Sequence, residues 1–470
     1  MAGLKPSEAL RVYDNILDAI GWTPLVRLNR LANGLPCPVY AKLESFNPGG
    51  SVKDRIGLNM IKEAERTGRL KPGGTVVEST SGNTGVGLAI VCAIKGYKAI
   101  FVMPDKMSNE KIQLLRAYGG RVVITPTAVA PEDPRSYYSV AKRIVAETPN
   151  AILANQYHNP ENPRSHFETT GPEIWEQTHG QVTDVVVGMG TGGTITGIGR
   201  YLQEQNPNIR MIGVDPAGSI LLETWQRGRV PDDAEATTYK VEGIGEDFLP
   251  STLDLGVIDD VLRVSDKESF LWTRRLVKEE GIFCGGSSGS AVAAAIRYAQ
   301  GLSEERLVVV ILPDSGSRYL SKVFDDKWMR ENGFLETEWS EITVGDVLAR
   351  KSFRKLITAN LNDGVVAVIA MMKSHDISQV PVLDPQGSLA GLVTEVDLLK
   401  YMLESGQSPP TELTIAPIVD KAEAVFPEST LLEEVLPAII DGYVILVTRK
   451  ERPVGILTKI DVLDYIAQEM

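Results

Sequence analysis

A lysine follows a glycine-rich turn near the start of the chain. Residues 49–55 read GGSVKDR, so Lys53 comes after two glycines and a serine, where a loop is expected to become a helix. An amine held at such a turn can act as a nucleophile toward a carbonyl carbon or carry a proton. A surface lysine in a charged first helical turn would have the same local sequence. Lys53 alone therefore does not establish chemistry.

Three further loops are rich in Gly, Ser, Thr and Asn. GMGTGGT (188–194) follows an expected strand and opens an expected helix, an arrangement that binds phosphate through main-chain N–H groups. TSGNTG (80–85) could hold a carboxylate, although Ser and Asn also cap helices. FCGGSSGS (283–290) is of the same kind.

The phosphate loop fits two classes of cofactor. Gly188, Gly190 and Gly193 satisfy G-x-G-x-x-G, and Asp215 follows about 20 residues later, as in a dinucleotide site. A nicotinamide-dependent oxidoreductase would leave Lys53 and two loops without a function. A phosphate cradle, a carboxylate loop and an amine instead indicate pyridoxal phosphate held by a lysine.

The elements around these loops alternate between strand and helix. Strands are predicted at 39–43, 75–77, 98–103, 184–189, 210–214 and 307–312, and helices at 86–94 and 195–205. Such alternation predicts an α/β fold with a parallel sheet covered by helices on both faces. Ligands of these folds bind at the carboxyl ends of the strands, where the four loops would meet.

An internal repeat follows this first part. GLVTEVDLLKYM (391–402) and GILTKIDVLDYI (455–466) are offset by 64 residues, each after an apolar strand. The predicted organisation is a catalytic domain at 1–334, a linker at 335–340 and two modules at 341–403 and 404–470.

Composition excludes several functions. The net charge of −13 argues against nucleic acid as a partner. Three scattered cysteines indicate reduced thiols and a cytoplasmic protein, and the four histidines show no metal-binding spacing. No apolar run reaches the length of about 18 residues that a membrane span needs.

The motifs NPGGSVKDR, TSGNTGVGLA, GTGGTITG, EGIGEDF (242–248) and CGGSSGS occur in the order typical of fold-type II pyridoxal phosphate enzymes. The chain resembles that tryptophan synthase β-like family over nearly its full length, and within it the cystathionine β-synthase group. The repeat resembles the tandem CBS modules of that group, a Bateman pair. The resemblance implies a two-lobed parallel-sheet catalytic domain followed by an α/β regulatory module.

The resemblance also implies site residues. Lys53 would hold the cofactor covalently and exchange the Cα proton of the substrate. Ser287 would face the pyridine nitrogen, where a neutral hydroxyl leaves the ring a weaker electron sink than a carboxylate would. The remaining cofactor contacts would be Asn83, Gly190, Thr191, Gly192, Gly193 and Thr194. The substrate carboxylate would contact Thr80, Ser81, Thr84 and Gln156, with Tyr157 nearby.

The activity implied is β-replacement, in which L-serine and L-homocysteine give L-cystathionine and water, or cysteine releases sulfide. The alternatives are a cysteine synthase that shares every cofactor motif, or a non-catalytic nucleotide sensor. No haem is expected, because the residues before GWTPLV contain neither Cys nor His. The expected assembly is a homodimer or homotetramer.

Two T-x-x-D motifs lie within the repeat, Thr394/Asp397 and Thr458/Asp461. By resemblance their carboxylates would bind the ribose of S-adenosylmethionine or an adenine nucleotide. The same pattern is also close to a helix capping box.

Overall fold

The structure is a computed structural model that describes residues 12–80, 82–105, 107, 109–126, 129, 133–335, 342–351, 356–405, 410–450 and 452–469. By its internal contacts the chain divides into two compact units, Met1–Leu335 and Glu336–Met470. Most of the predicted linker lies outside the described residues, as does Ser81.

The strands of the first unit form two separate sheets. In chain order they are β1 (Leu25–Arg27), β2 (Val39–Leu43), β3 (Thr75–Ser79), β4 (Lys98–Pro104), β5 (Arg121–Thr125), β6 (Ala151–Leu153), β7 (Asp184–Gly188), β8 (Arg210–Pro216), β9 (Asp260–Val264) and β10 (Val308–Leu312). The larger sheet has the order β1-β2-β10-β7-β8-β9, and the smaller has β5-β4-β3-β6. All pairs are parallel except β1 with β2.

Helices cover both faces of each sheet. They are α1 (Lys53–Arg66), α2 (Asn83–Lys95), α3 (Asn109–Ala117), α4 (Tyr137–Glu147), α5 (Glu161–Glu168), α6 (Thr170–Gln177), α7 (Gly193–Gln205), α8 (Leu221–Arg227), α9 (Asp266–Arg275), α10 (Gly286–Ala299) and α11 (Asp326–Glu331). On the larger sheet, α10 packs on one face and α7 on the other. On the smaller sheet, α1 and α2 oppose α4.

The continuous apolar character of the strands follows from this layering. Val308–Leu312 is buried at every position, because helices exclude water from both sides of β10. The predicted α/β fold is confirmed. The two-lobed parallel-sheet catalytic domain that the resemblance implies is also confirmed, with its strands divided between two sheets. Strand–helix alternation alone does not specify which strands pair.

The second unit contains the same topology twice. Its elements are α12 (Val344–Arg350), β11 (Ala359–Asn360), α13 (Val365–His375), β12 (Gln379–Leu383), β13 (Leu389–Thr394), α14 (Glu395–Glu404), β14 (Val425–Pro427), α15 (Leu432–Ile440), β15 (Ile445–Arg449), β16 (Arg452–Leu457) and α16 (Lys459–Glu469). Sheets β11-β12-β13 and β14-β15-β16 each combine one parallel and one antiparallel pair.

The two repeats exchange short segments. Ile342, Val344 and Val347, at the start of the first repeat, are buried in the core of the second. Ile415, near the start of the second repeat, is buried in the core of the first. The core of each repeat is therefore completed by residues from the beginning of the other.

Candidate active site

A cavity of about 500 Å³ lies at the carboxyl ends of strands from both sheets of the first unit. Residues that follow β3, β7 and β10 line it, as do the starts of α1, α2 and α10. This is the position where open parallel sheets bind ligands. All four loops singled out in the sequence contribute to its wall.

Lys53 is the first residue of α1 and faces this cavity. Its Nζ lies 3.4 Å from Thr191 Oγ1 in the glycine loop after β7. Burial lowers the pKa of Lys53 to about 8, and the negative charges of Glu246, Asp314 and Glu78 oppose that shift. A substantial fraction of the neutral amine is therefore accessible near neutral pH, which both nucleophilic attack and proton abstraction require.

A buried ion-pair network fixes the helix behind Lys53. Arg55 donates from Nε to Glu44 Oε2 at 2.7 Å and from Nη1 to Glu173 Oε1 at 2.6 Å, and all three side chains are buried. Lys42 Nζ contacts Glu173 Oε2 at 2.7 Å. Removing one partner from a buried pair typically costs about 3–5 kcal/mol, because the other charge is left uncompensated. The network holds the first turn of α1 in place.

The phosphate loop meets the start of α7, where main-chain N–H groups lack intrahelical acceptors. Gly192 has φ +79°, and an added Cβ would overlap Leu253. A Cβ on Gly190 would lie 2.7 Å from the Gly243 carbonyl oxygen. Glycine is required here by backbone conformation and by close approach. The loop can therefore bring its N–H groups against an anion.

Polar side chains contact this loop and help to hold it in place. Asn162 Nδ2 donates to Thr191 Oγ1 at 3.1 Å, and Thr194 Oγ1 lies 3.3 Å from His166 Nε2. Burial, followed by the charges of Arg55 and Lys53, holds the pKa of His166 well below its usual value. His166 is therefore neutral, and the loop's positive potential comes from main-chain dipoles and Lys53.

The TSGNTG loop joins β3 to α2 and faces the same space. Thr84 Oγ1 donates to Gln156 Oε1 at 2.6 Å, which brings together two of the predicted substrate contacts. Thr80 is buried at the end of β3, and its Oγ1 accepts from the Gly82 N–H at 3.2 Å. The predicted contact Ser81 lies outside the described residues.

Asn83 and Ser287 both line the cavity, from the starts of α2 and α10. Asn83 Nδ2 donates to Asp314 Oδ2 at 2.8 Å, and Tyr319 donates its hydroxyl to the same oxygen at 2.7 Å. Ser287 lies in the first turn of α10, is buried and lines the cavity.

Three acidic side chains near the Lys53 amine were not among the predicted site residues. Burial raises the pKa of Glu78 to about 7, that of Glu246 to about 8, and that of Asp314. Asp314 Oδ1 is buried without a hydrogen-bond partner. Glu78 lies at the end of one buried strand, and Asp314 follows another. These positions could have indicated both residues as members of the site. Glu246 lies in the EGIGEDF motif. This motif contributed to the resemblance, but no role was predicted for any residue in it.

These residues fit pyridoxal phosphate. The glycine cradle suits a phosphate, Lys53 supplies an amine, and Ser287 supplies a neutral hydroxyl. The buried Asn162 Oδ1, which has no partner, lies against Gly193 in the cradle.

The dinucleotide alternative is not supported by Asp215. Its Oδ2 accepts from the Leu222 N–H at 3.0 Å and pairs with Arg263 at 3.1 Å. The side chain is fully buried and does not line the cavity, so a ribose hydroxyl in the cavity does not reach it.

In the second unit both T-x-x-D motifs form helix-start hydrogen bonds. Asp397 Oδ2 accepts from the N–H and Oγ1 of Thr394 at 2.8 and 2.5 Å. Asp461 Oδ2 accepts from the same groups of Thr458 at 2.8 and 2.7 Å, and from Lys351 Nζ at 2.9 Å. Both carboxylates thus cap helices, and Asp461 also carries an ion pair.

Within the described ranges, no group of three or more His, Cys, Asp or Glu side chains could hold a metal ion. The search for a helix able to cross a membrane, made over the same ranges, found none. The three cysteines are buried and free.

The fold and the cavity define a pyridoxal phosphate enzyme of fold type II, and the chain belongs to that family. The family model described as "Pyridoxal-phosphate dependent enzyme" matches residues 16–314, and the model "CBS domain" matches residues 344–404 and 415–468.

Among curated proteins, the chain is similar to cystathionine beta-synthase of Dictyostelium discoideum, at 41% identity over 97% of this chain and 92% of that protein. It is 39% identical to cystathionine beta-synthase of Apis mellifera, over 99% of this chain and 93% of the other. A cysteine synthase of Staphylococcus aureus is 44% identical over 68% of this chain and its own whole length. Of solved structures, an O-ureido-L-serine synthase matches with TM-score 0.62 and 39% identity, covering 68% of this chain and all of that one.

Proposed function

We propose that this chain catalyses a pyridoxal phosphate-dependent β-replacement that condenses L-serine with L-homocysteine to L-cystathionine and water. The observation that carries the proposal is the Lys53 amine, whose pKa is lowered to about 8 in a cavity shared with a phosphate cradle and a carboxylate loop. Similarity to proteins named cystathionine beta-synthase over almost the whole chain supports this choice of reaction.

The bound cofactor would withdraw electron density from Cα of the attached amino acid. Lys53 then takes the Cα proton and later returns it, because its amine can be neutral near pH 8. Thr80, Thr84 and Gln156 would hold the substrate carboxylate beside this amine, and Ser81, which follows Thr80 in sequence, is proposed as a further contact. The cradle at 190–194 would hold the phosphate, and Asn83 would contact the ring hydroxyl.

Ser287 contributes to the reaction because its hydroxyl carries no charge. A hydroxyl at the pyridine nitrogen does not hold a proton there as a carboxylate would. The ring therefore accepts less negative charge, which favours prompt loss of a β-substituent over transamination.

The second candidate is a cysteine synthase, which the full-length match of the Staphylococcus aureus enzyme to the first unit favours. Purified protein should be given serine plus homocysteine and, separately, O-acetylserine plus sulfide, with products identified by mass spectrometry. We expect cystathionine as the dominant product. Dominant cysteine formation from the second pair would overturn the proposal.

The T-x-x-D residues Thr394, Asp397, Thr458 and Asp461 are proposed to bind the ribose of S-adenosylmethionine or an adenine nucleotide. Each cap uses one carboxylate oxygen, Oδ2, so Oδ1 is the atom offered to a ribose hydroxyl. At Asp461 a ligand would approach next to the Lys351 ion pair.

We further propose that the enzyme works in the cytoplasm as a homodimer or homotetramer without haem. The three buried free thiols suit a reducing compartment. Light scattering coupled to size exclusion measures the assembly, and the absorbance of purified protein reveals any haem.

A further inference from the structure

The cavity contains an acidic side chain that the reaction scheme above does not use. Glu246 lies in the segment 241–248 and lines the same cavity as Lys53. Its N–H donates to Ser219 Oγ at 3.1 Å, and its carbonyl oxygen accepts from the Ile220 N–H at 3.1 Å. The Gly245 N–H donates to the Met189 carbonyl at 2.6 Å. The main chain is therefore fixed, and the carboxyl is held at the cavity wall.

The carboxyl has no cationic partner among the described residues. The nearby Glu242 pairs with both Lys111 and Lys322, whereas Glu246 forms no ion pair within the described part of the chain. Tyr157 lines the same cavity, and its ring packs edge-on against Phe248 at 5.3 Å between ring centres. A carboxyl at the cavity wall without an ion pair is available to a ligand.

The surroundings favour the protonated form. Burial raises the pKa of Glu246 to about 8, and Asp247 and Asp215 add to the rise, while Tyr157 and Lys53 oppose it. Other titratable groups in electrostatic contact with this carboxyl are Tyr137, Tyr138 and Tyr239. At neutral pH Glu246 is thus mostly a neutral acid that can give a proton.

The proposed reaction needs such an acid. When Lys53 removes the Cα proton of serine, the C–H electron pair becomes the Cα=Cβ bond, and the Cβ–O bond breaks with its pair on oxygen. Hydroxide is a poor leaving group, so the oxygen must receive a proton to depart as water. When the thiol adds, its S–H proton must go to a base as the S–Cβ bond forms, and Cα recovers its proton from Lys53.

We propose that Glu246 is a second acid–base residue, which protonates the departing serine hydroxyl and then takes the proton of the incoming thiol. Its carboxyl is protonated before the first half of the reaction, ionised between the halves and protonated again at the end, so no proton is gained or lost. The proposal rests on the β-replacement proposed above, and it names serine, with its hydroxyl leaving group, as the first substrate.

The test compares leaving groups that differ in their need for a proton. Chloride leaves from β-chloro-L-alanine as a stable anion, and hydrosulfide adds without first losing a proton to a base. Glu246→Gln should lower turnover of serine with homocysteine by about 10²–10⁴-fold, the usual contribution of a general acid–base group. Turnover of β-chloroalanine with hydrosulfide should stay close to that of the unaltered enzyme.

Matched variants and a spectroscopic readout complete the design. Glu235→Gln removes an exposed carboxyl of the same type and should leave both reactions unchanged. Glu246→Asp keeps a carboxyl and should recover part of the serine rate. The infrared absorption of protonated carboxyls should be weaker in Glu246→Gln than in the unaltered enzyme, because one such group is removed while those of other buried carboxyls remain. Serine turnover, relative to β-chloroalanine turnover, should fall as pH rises through about 8, because the acid is then ionised.

Equal losses with serine and β-chloroalanine would overturn the role, because they would indicate a structural side chain. An unaffected serine rate would overturn it as well. Failure of the unaltered enzyme to make cystathionine is a separate result that would overturn the proposed function instead.

Discussion

At the scale of single residues, Lys53 is the side chain on which the proposed reaction depends most directly. Lys53→Ala should abolish cystathionine formation, because it removes the amine at the start of α1 that would hold the cofactor and exchange the Cα proton. The phosphate cradle is untouched, so the variant should still bind pyridoxal phosphate non-covalently. Borohydride reduction followed by peptide mass spectrometry should locate the cofactor on Lys53 in the unaltered enzyme and nowhere in the variant. Near-normal cystathionine output from the variant would refute this role.

Ser287 offers a test of the electronic argument. Ser287→Asp should reduce β-replacement by about 10²-fold, the size of effect seen when one electrostatic contact in an active site is altered. The carboxylate would hold a proton on the pyridine nitrogen and change the visible spectrum of the bound cofactor. Asparagine has the shape of aspartate without its charge, so the β-replacement rate of Ser287→Asn should be far less affected. An unchanged rate and spectrum in Ser287→Asp would remove Ser287 from the site.

The residues that sequence reasoning could find are those in local motifs. Lys53 and the Gly-rich loops stand at strand-to-helix turns, where spacing alone suggests a ligand. The contact between Asp314 and Asn83 could not be predicted, because 231 positions of sequence separate the two residues. Asn162 likewise supports Thr191 from another helix. Contacts of this kind depend on the tertiary arrangement, and no periodicity encodes them.

At the scale of elements, the turn before α7 should be intolerant of a side chain. Gly192→Ala would strain a φ of +79° and push its Cβ into Leu253, which displaces the N–H groups from the phosphate. We expect loss of most cofactor affinity, measured by equilibrium dialysis with pyridoxal phosphate.

Gly68 is the matched control for backbone strain. It has φ +71°, and no atom lies within 4 Å of an added Cβ. Gly68→Ala should cost about 1 kcal/mol of stability and leave cofactor affinity unchanged. Equal affinity losses in both variants would mean that strain, and not the shape of the cradle, is responsible.

Element positions were more predictable than element pairing. The predicted strand 39–43 is β2, and the predicted helix 195–205 lies within α7. Both are buried on one side or more and so carry a clear apolar pattern. The division into two sheets was not predictable from strand–helix alternation, because alternation indicates where strands occur and not which strands pair. The buried strands β3 and β7, for example, lie in different sheets.

At the scale of the whole molecule, the catalytic function should be separable from the repeats. A chain ending at Leu335 contains every described residue of the cavity, so it should bind cofactor and turn over substrate. It should lose any response to an adenosyl effector. Calorimetry of the full chain with S-adenosylmethionine, ATP and AMP identifies the effector, and rate assays with and without it measure the response.

Typical coupling of about 1–3 kcal/mol would change affinity between sites by roughly 5–150-fold. In the full chain, Asp461→Ala and Asp397→Ala should each weaken binding at its own site by removing the ribose acceptor. Asp346→Ala removes the capping carboxylate of α12. Thr343–Asp346 has the same T-x-x-D spacing and the same capping box, but no ribose contact is assigned to it, so this variant is a control for helix capping. If no compound binds and truncation changes neither rate nor assembly size, both motifs are only caps.

The exchange of segments between the repeats determines how the second unit can be divided. Because α12 completes the core of the later copy, and Ile415 that of the earlier one, the chain crosses between the copies twice. Neither copy can be excised as a self-sufficient piece, since its removal also strips buried apolar residues from the survivor. The two repeats should therefore unfold in a single thermal transition. In evolution, a gene that loses one repeat would have to lose the other with it.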